Sequence, residues 1–119
     1  MKKKEAQQVF REFVDEKTII GASLLKIDGT VLAAHYAGIQ DTIPTLIARE
    51  SLGAKRRRRS VFPVLGKLIT SVAKYEKMYV GLSLLSKDKY VELIGNPEVP
   101  LTRFAKKLRE ISDKLSSSQ

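Results

Sequence analysis

Residues 19–38 read IIGASLLKIDGTVLAAHYAG, and this stretch decides the fold. Two strand-favouring runs flank Asp28-Gly29. Asp-Gly in that setting supplies the positive φ angles of a two-residue type I′ turn, so the stretch predicts a β-hairpin with strands at 19–27 and 30–36 and Gly38 closing it. Two strands alone are marginal in water, because they cannot bury both faces. Helices or further strands elsewhere in the chain must cover this hairpin.

Toward the N-terminus, Ala6, Val9, Phe10, Phe13 and Val14 recur at helical spacing between Glu5 and Lys17, with charged and polar residues between them. That is the pattern of an amphipathic helix burying one face. Downstream, Asp41-Thr42-Ile43-Pro44 offers Asp41 or Thr42 as a cap and Pro44 for the first turn of a short helix ending near Gly53. From Val61 to about Lys77, the residues Val61, Leu65, Leu68, Ile69 and Val72 share one helical face, with Pro63 in the first turn, which predicts a central helix. Gly66 inside it costs roughly 1 kcal/mol relative to Ala and marks a close approach of another backbone.

MYVGLSLL at 78–85 and YVELI at 90–94 then flank the polar turn Ser86-Lys87-Asp88-Lys89 and read as a second pair of strands. Gly95-Asn96-Pro97 ends the pair. Beyond Pro100, the spacing of Leu101, Phe104, Leu108 and Ile111 predicts a final helix to about Lys114, opened by Pro100 or Thr102. The expected order is α-β-β-α-β-β-α in one domain over 1–115, with 116–119 a disordered tail. Short hairpin connections favour antiparallel pairs, and helices must cover at least one sheet face, so the fold class is α+β: an antiparallel sheet with flanking helices.

Length and composition bound the chemistry. The chain has 119 residues, no cysteine and a single histidine, His35. Disulfides, thiolate metal sites and cysteine nucleophiles are excluded, and a histidine relay has too few members. No apolar run approaches the roughly 20 residues that span a bilayer, and a cytoplasmic location is expected. The net charge is +9; five of those charges sit in Lys55-Arg56-Arg57-Arg58-Arg59 and three in Lys2 to Lys4, which leaves a body near +1. Basicity of that kind marks a local contact surface.

Ile20-Gly21-Ala22-Ser23-Leu24-Leu25 followed by Asp28-Gly29-Thr30-Val31-Leu32-Ala33 resembles the Roadblock/LC7 family, whose members open with a helix and a hairpin of this form. Tyr90-Val91-Glu92-Leu93-Ile94-Gly95-Asn96-Pro97 with the helix after it is similar to that family's last strand and exit. The resemblance covers roughly residues 5–40 and 78–114. The family places three strands after its central helix where two are legible here, and the segment 40–60 is longer than its usual connection. Profilin-like and longin-like domains share the helix-hairpin opening. The resemblance implies a profilin-like sandwich that dimerises through side-by-side central helices, often with edge-strand pairing that continues the sheet between subunits. It also implies a platform for small Ras-like GTPases, or a scaffold subunit, without an active site or cofactor of its own.

The residues themselves agree with a non-enzymatic reading. No run ends in Gly-Lys-Ser/Thr as a phosphate-binding loop does, Leu65-Gly66-Lys67 being only a helix fragment, and no Gly-x-Ser-x-Gly elbow or metal-ligand spacing occurs. Asp28 is a turn residue and His35 an ordinary strand residue in this reading. A dimer interface is expected on Val61, Val64, Leu65, Leu68, Ile69 and Val72 of the central helix. The Lys55–Arg59 run is either a solvated loop or a contact for an anionic partner: nucleic-acid backbone, anionic lipid or an acidic protein patch. No aromatic residue is interleaved with the arginines to stack bases. A small nucleic-acid-binding protein and a profilin-like actin-binding domain are the alternative functions.

Overall fold

The N-terminal helix α1 (Lys3–Phe13) carries Ala6, Val9 and Phe10 into the core, on the face that the sequence spacing marks. It stops four residues before the expected end at Lys17, because the chain turns back at Asp15. The Asp15 carboxylate accepts the backbone N–H groups of Lys17, Thr18 and Ile19 at 3.1, 2.8 and 3.0 Å. Glu16 takes a left-handed φ of 66° at this corner. A computed structural model describes residues 3–38, 66 and 68–117 of the chain.

The hairpin follows as β1 (Ile19–Lys26) and β2 (Val31–Tyr36), antiparallel. Its turn differs from the two-residue type I′ form. Gly29 N–H donates to the Lys26 carbonyl at 2.9 Å, and Gly29 has φ 92° while Asp28 is not among the positive-φ residues. This is the three-residue loop in which an i→i+3 turn is followed by a left-handed glycine. The Asp28 carboxylate accepts Thr30 N–H at 2.9 Å, so Asp28 is the turn residue expected of it.

β3 (Thr70–Lys74), β4 (Tyr79–Ser86) and β5 (Lys89–Gly95) form a meander, and the sheet order is β2-β1-β5-β4-β3, antiparallel throughout. β4 and β5 fall where the sequence places them. β3 corrects the central helix: Thr70–Lys74 is extended, and Gly66 has φ 75°, a left-handed conformation foreign to a helix interior. Open space, rather than a neighbouring backbone, surrounds the Cβ that Gly66 lacks. Residues 68–73 read LITSVA, a stretch rich in β-branched side chains, and pairing with β4 favours the extended form over the helical period. The fifth strand is therefore present, inside the stretch whose spacing suggested a helix. The expected short helix ending near Gly53 and the first part of the expected central helix lie outside the described residues.

The last helix, α2 (Leu101–Ser117), buries Phe104, Leu108, Ile111 and Leu115. It runs past Lys114 and takes in Ser116 and Ser117 of the expected tail. α1 lies against β2 and β1, α2 against β4 and β5, and the two helices touch each other on the same sheet face. Their apolar stripes join Ile19, Ala22, Leu24, Ala33, Tyr79, Val91 and Leu93 in one core. Each large side chain buried there contributes about 1.5–3 kcal/mol. α2 seats closely because the strands beneath it carry glycine: a Cβ on Gly81 would stand 2.9 Å from Leu108 Cδ2, and one on Gly95 would collide with the Phe104 ring. The opposite sheet face holds a smaller cluster of Leu25, Leu82 and Tyr90, with Leu68, Val31 and Leu84 against it.

Candidate functional site: the outward edge of the last strand in the sheet

β3 ends the sheet on one side. Its inward edge is paired with β4 from Thr70↔Ser83 to Lys74↔Tyr79, and Leu84 N–H donates to the Ile69 carbonyl at 2.7 Å, carrying the ladder one step further. The Thr70 hydroxyl adds a bond to the Leu82 carbonyl at 3.1 Å. The Tyr90 hydroxyl donates to the Leu68 carbonyl at 3.0 Å and fixes the approach to the strand from the other face. Burial pushes the Tyr90 phenol above its ordinary pKa, so it stays a donor at neutral pH.

The outward edge has no strand beside it among the described residues, and the side chains around it are apolar. Ile69 is 61% exposed, Tyr75 55% and Val72 37%, three of the five large apolar side chains exposed among the described residues. Between β3 and α2 lies a groove of about 330 Å³, lined by Ile69, Thr70 and Val72 on the strand side and Leu108, Arg109 and Ser112 on the helix side. Ser83 and Ser112 hydroxyls bond each other at 2.9 Å across its floor. A paired inner edge, an outer edge with no strand beside it among the described residues and a cluster of exposed apolar side chains form a surface that can accept another strand by backbone hydrogen bonding and then bury those side chains.

The expected interface residues separate in the structure. Leu68 is half-buried with the cluster on the sheet face opposite α1 and α2, whereas Ile69 and Val72 are exposed at the β3 edge, so the three share no helical face. Val61, Val64 and Leu65 lie outside the described residues, as do Lys55, Arg56, Arg57, Arg58 and Arg59. Tyr75 was missed by the sequence reading, which placed it within a helix. Its signal is the alternation of 70–75 just before the turn at Glu76-Lys77. His35 is half-buried in β2. Among the described residues no cluster of three or more His, Asp or Glu is placed to hold a metal ion. No helix among them is long and apolar enough to cross a membrane.

No protein-family model matches the sequence, and no curated protein matches it. Solved structures do match. The gliding protein MglB of Thermus thermophilus superposes with a TM-score of 0.80 at 19% identity, covering 97% of this chain and 88% of that one. The Roadblock/LC7 domain from Streptomyces avermitilis gives 0.73 at 15% identity, with 94% and 95% covered. Acanthamoeba castellanii profilin IB gives 0.64 at 16% identity, with 94% and 97% covered. The five-stranded antiparallel sheet with α1 and α2 on one face is thus a Roadblock/LC7-like fold, related in architecture to profilin. A further solved structure, MglB with a tetrameric arrangement, superposes with a TM-score of 0.79 at 18% identity over 97% of this chain and 88% of that one.

Proposed function

We propose that the chain is a non-catalytic interaction module that pairs with a second copy along β3 and presents the pair to a small Ras-like GTPase or to a scaffold. The observation that carries the pairing is the outward β3 edge, which has no strand beside it among the described residues, with Ile69, Val72 and Tyr75 exposed there. The fold shared with Roadblock/LC7 domains supports the GTPase or scaffold role by analogy of architecture alone. Backbone pairing of β3 with its copy would extend the sheet antiparallel and satisfy the outward N–H and C=O groups of both strands. The apolar side chains beside the edge would leave water in the same step.

Light scattering on the purified chain tests the pairing, with a mass near twice 13.3 kDa expected. A 13.3 kDa species persisting at high concentration sinks it. The partner is tested by titrating the chain against purified Ras-like GTPases of the same cell, loaded with GDP or a non-hydrolysable GTP analogue. Binding that differs between the two nucleotide states is the expected result. The profilin likeness supports a second reading, actin binding, and slowed polymerisation of purified actin with no GTPase binding would put it first. For Lys55–Arg59, binding to DNA or RNA that weakens steeply with added salt and disappears on changing Arg56 to Arg59 to Ala would assign the run to nucleic acid.

A further inference from the structure

The backbone of β3 divides its hydrogen-bonding groups between two sides. Leu84 N–H donates to the Ile69 carbonyl at 2.7 Å and Tyr75 N–H to the Met78 carbonyl at 2.9 Å, both in the register of the β3–β4 ladder. In an antiparallel ladder the N–H and C=O of one residue point to the same side, and successive residues alternate. Ile69, Ser71, Ala73 and Tyr75 therefore turn their backbone groups toward β4, whereas Thr70, Val72 and Lys74 turn theirs to the outward edge. Side chains alternate as well. Val72 pairs with Gly81, which lies under Phe104 and Leu108 of α2, so Thr70, Val72 and Lys74 stand on the helix side of the sheet, and all three are exposed. Thr70 and Val72 also form part of the groove wall against α2.

We propose, on the basis of the pairing set out above, that its two-fold axis passes beside Val72: Val72 faces its own copy, Thr70 faces the partner's Lys74, and each groove is completed by a lysine from the other chain. A symmetric antiparallel contact sets one residue opposite itself, and every other pairing follows from that choice. With Val72 at the centre, the outward residues Thr70, Val72 and Lys74 meet the partner's Lys74, Val72 and Thr70, each pair exchanging two backbone bonds, and the whole of Thr70–Lys74 is matched. A centre at Ser71 sets Lys74 against Leu68, which lies outside the strand and whose carbonyl already accepts the Tyr90 hydroxyl at 3.0 Å. A centre at Ala73 sets Thr70 against Glu76 in the turn. Centres at Thr70 or Lys74 leave still more of the strand unmatched, and the latter puts two lysines directly opposite, which destabilises a pair.

Charge favours the same register. Ser83, the β4 residue opposite Thr70, is bonded to Ser112 of α2 at 2.9 Å, which brings Asp113 to the Thr70 end of the groove. Neither Asp113 nor Lys74 is in an ion pair with another described residue. The partner's Lys74 stands one strand spacing, about 4.8 Å, beyond Thr70. It enters the groove at the level of Asp113, and its flexible stem carries the ammonium toward that carboxylate. The two-fold axis repeats this contact on the other side, with the facing Val72 side chains forming a β-branched pair between the two.

Cysteine scanning reads the register directly, because the chain has no cysteine of its own. Facing residues of a bonded pair stand about 5.5 Å apart at Cα, inside the roughly 4.4–6.8 Å range of disulfides. Single cysteines are placed in the full chain at each position from Thr70 to Lys74 and oxidised mildly. Val72→Cys is expected to give a covalent dimer, and Thr70→Cys to give one only when mixed with Lys74→Cys. Self-linking at Ser71→Cys or Ala73→Cys instead, or no linking at any position in a chain that light scattering shows to be dimeric, overturns the register while the dimer stands. A chain that stays monomeric overturns the pairing and the register together. Lys74→Glu and Asp113→Lys are each expected to weaken the dimer about two- to thirtyfold, two exposed ion pairs being lost, and the double variant to recover most of that affinity. Losses that multiply in the double variant remove Lys74 from the groove.

Discussion

The two edges of the sheet are treated in opposite ways. At the β2 edge, α1 lies against the strand, and Gln7 Nε2 donates to the Ala34 carbonyl at 2.8 Å. At the β3 edge neither α1 nor α2 gives cover beyond the rim of the groove, and Ile69, Val72 and Tyr75 are exposed. An unprotected edge invites pairing with other chains, and proteins that must not associate blunt both of theirs. Among the described residues one edge is bonded by α1 and the other carries exposed apolar side chains, the contrast on which the proposed pairing rests. The proposed pairing at β3 would close a dimer, because a symmetric contact uses up the same edge on both copies.

Four substitutions bear on this contrast. The largest effect is expected from Phe10→Ala, which removes a fully buried ring holding α1 over β1 and β2. A loss of about 3–5 kcal/mol in urea unfolding is expected, and a change below about 1 kcal/mol would show that α1 is not what secures that edge.

Asp15→Ala removes the acceptor for three N–H groups at the corner that sets α1 in place, and a loss of about 1 kcal/mol at pH 7 is expected. Burial alone would raise the Asp15 pKa, but the N–H donors Ile19, Thr18 and Lys17 outweigh it and hold the group below 3.8. Its contribution is therefore present above 3.8 and disappears as pH falls through the lower folded value. The difference between Asp15→Ala and the parent chain should close in acid, and one that persists at pH 2 would contradict the assignment.

Gln7→Ala should cost about 0.5–1.5 kcal/mol by removing the bond to β2. A rise in association at high concentration is expected with it, as the second edge opens. Val72→Lys should have the smallest effect on the monomer, within about 0.5 kcal/mol, because the side chain is exposed. Its mass by light scattering is nonetheless expected to drop to 13.3 kDa. An unchanged dimer would remove Val72 from the interface.

Much of this architecture is legible in the sequence, for local reasons. The Asp28-Gly29 corner, the Lys87-Asp88 turn and the spacing of Phe104, Leu108 and Ile111 are each decided within a few residues, and the elements they announce are present. β3 was hidden because Leu65, Leu68, Ile69 and Val72 fit a helical face as well as an extended run, and the arbiter is a partner strand that a local pattern does not contain. The candidate site moved with it: Ile69 and Val72 stay exposed and apolar, but on a strand edge rather than a helix. The burial of Glu92 was hidden by position. One charge in YVELI reads as the solvent side of an edge or outer strand, and only the sheet order reveals that β5 is central and buried on both faces. The type of the first turn was missed because Asp-Gly serves two loop lengths, and the left-handed residue in this one is Gly29.

The seam between β1 and β5 has a consequence for how the chain is made. Residues Gly21 to Lys26 pair with residues Lys89 to Ile94, and Asn96 clasps the same corner by donating to the carbonyls of Thr18 and Lys17 at 3.0 Å each. On a ribosome the first hairpin emerges before β5 and must wait, its β1 edge facing β5 unpaired, until residues 89–95 have followed. A nascent chain halted before Lys89 has no β5 to lay against β1, so its exposed strand is open to holdase chaperones and to strands of neighbouring nascent chains.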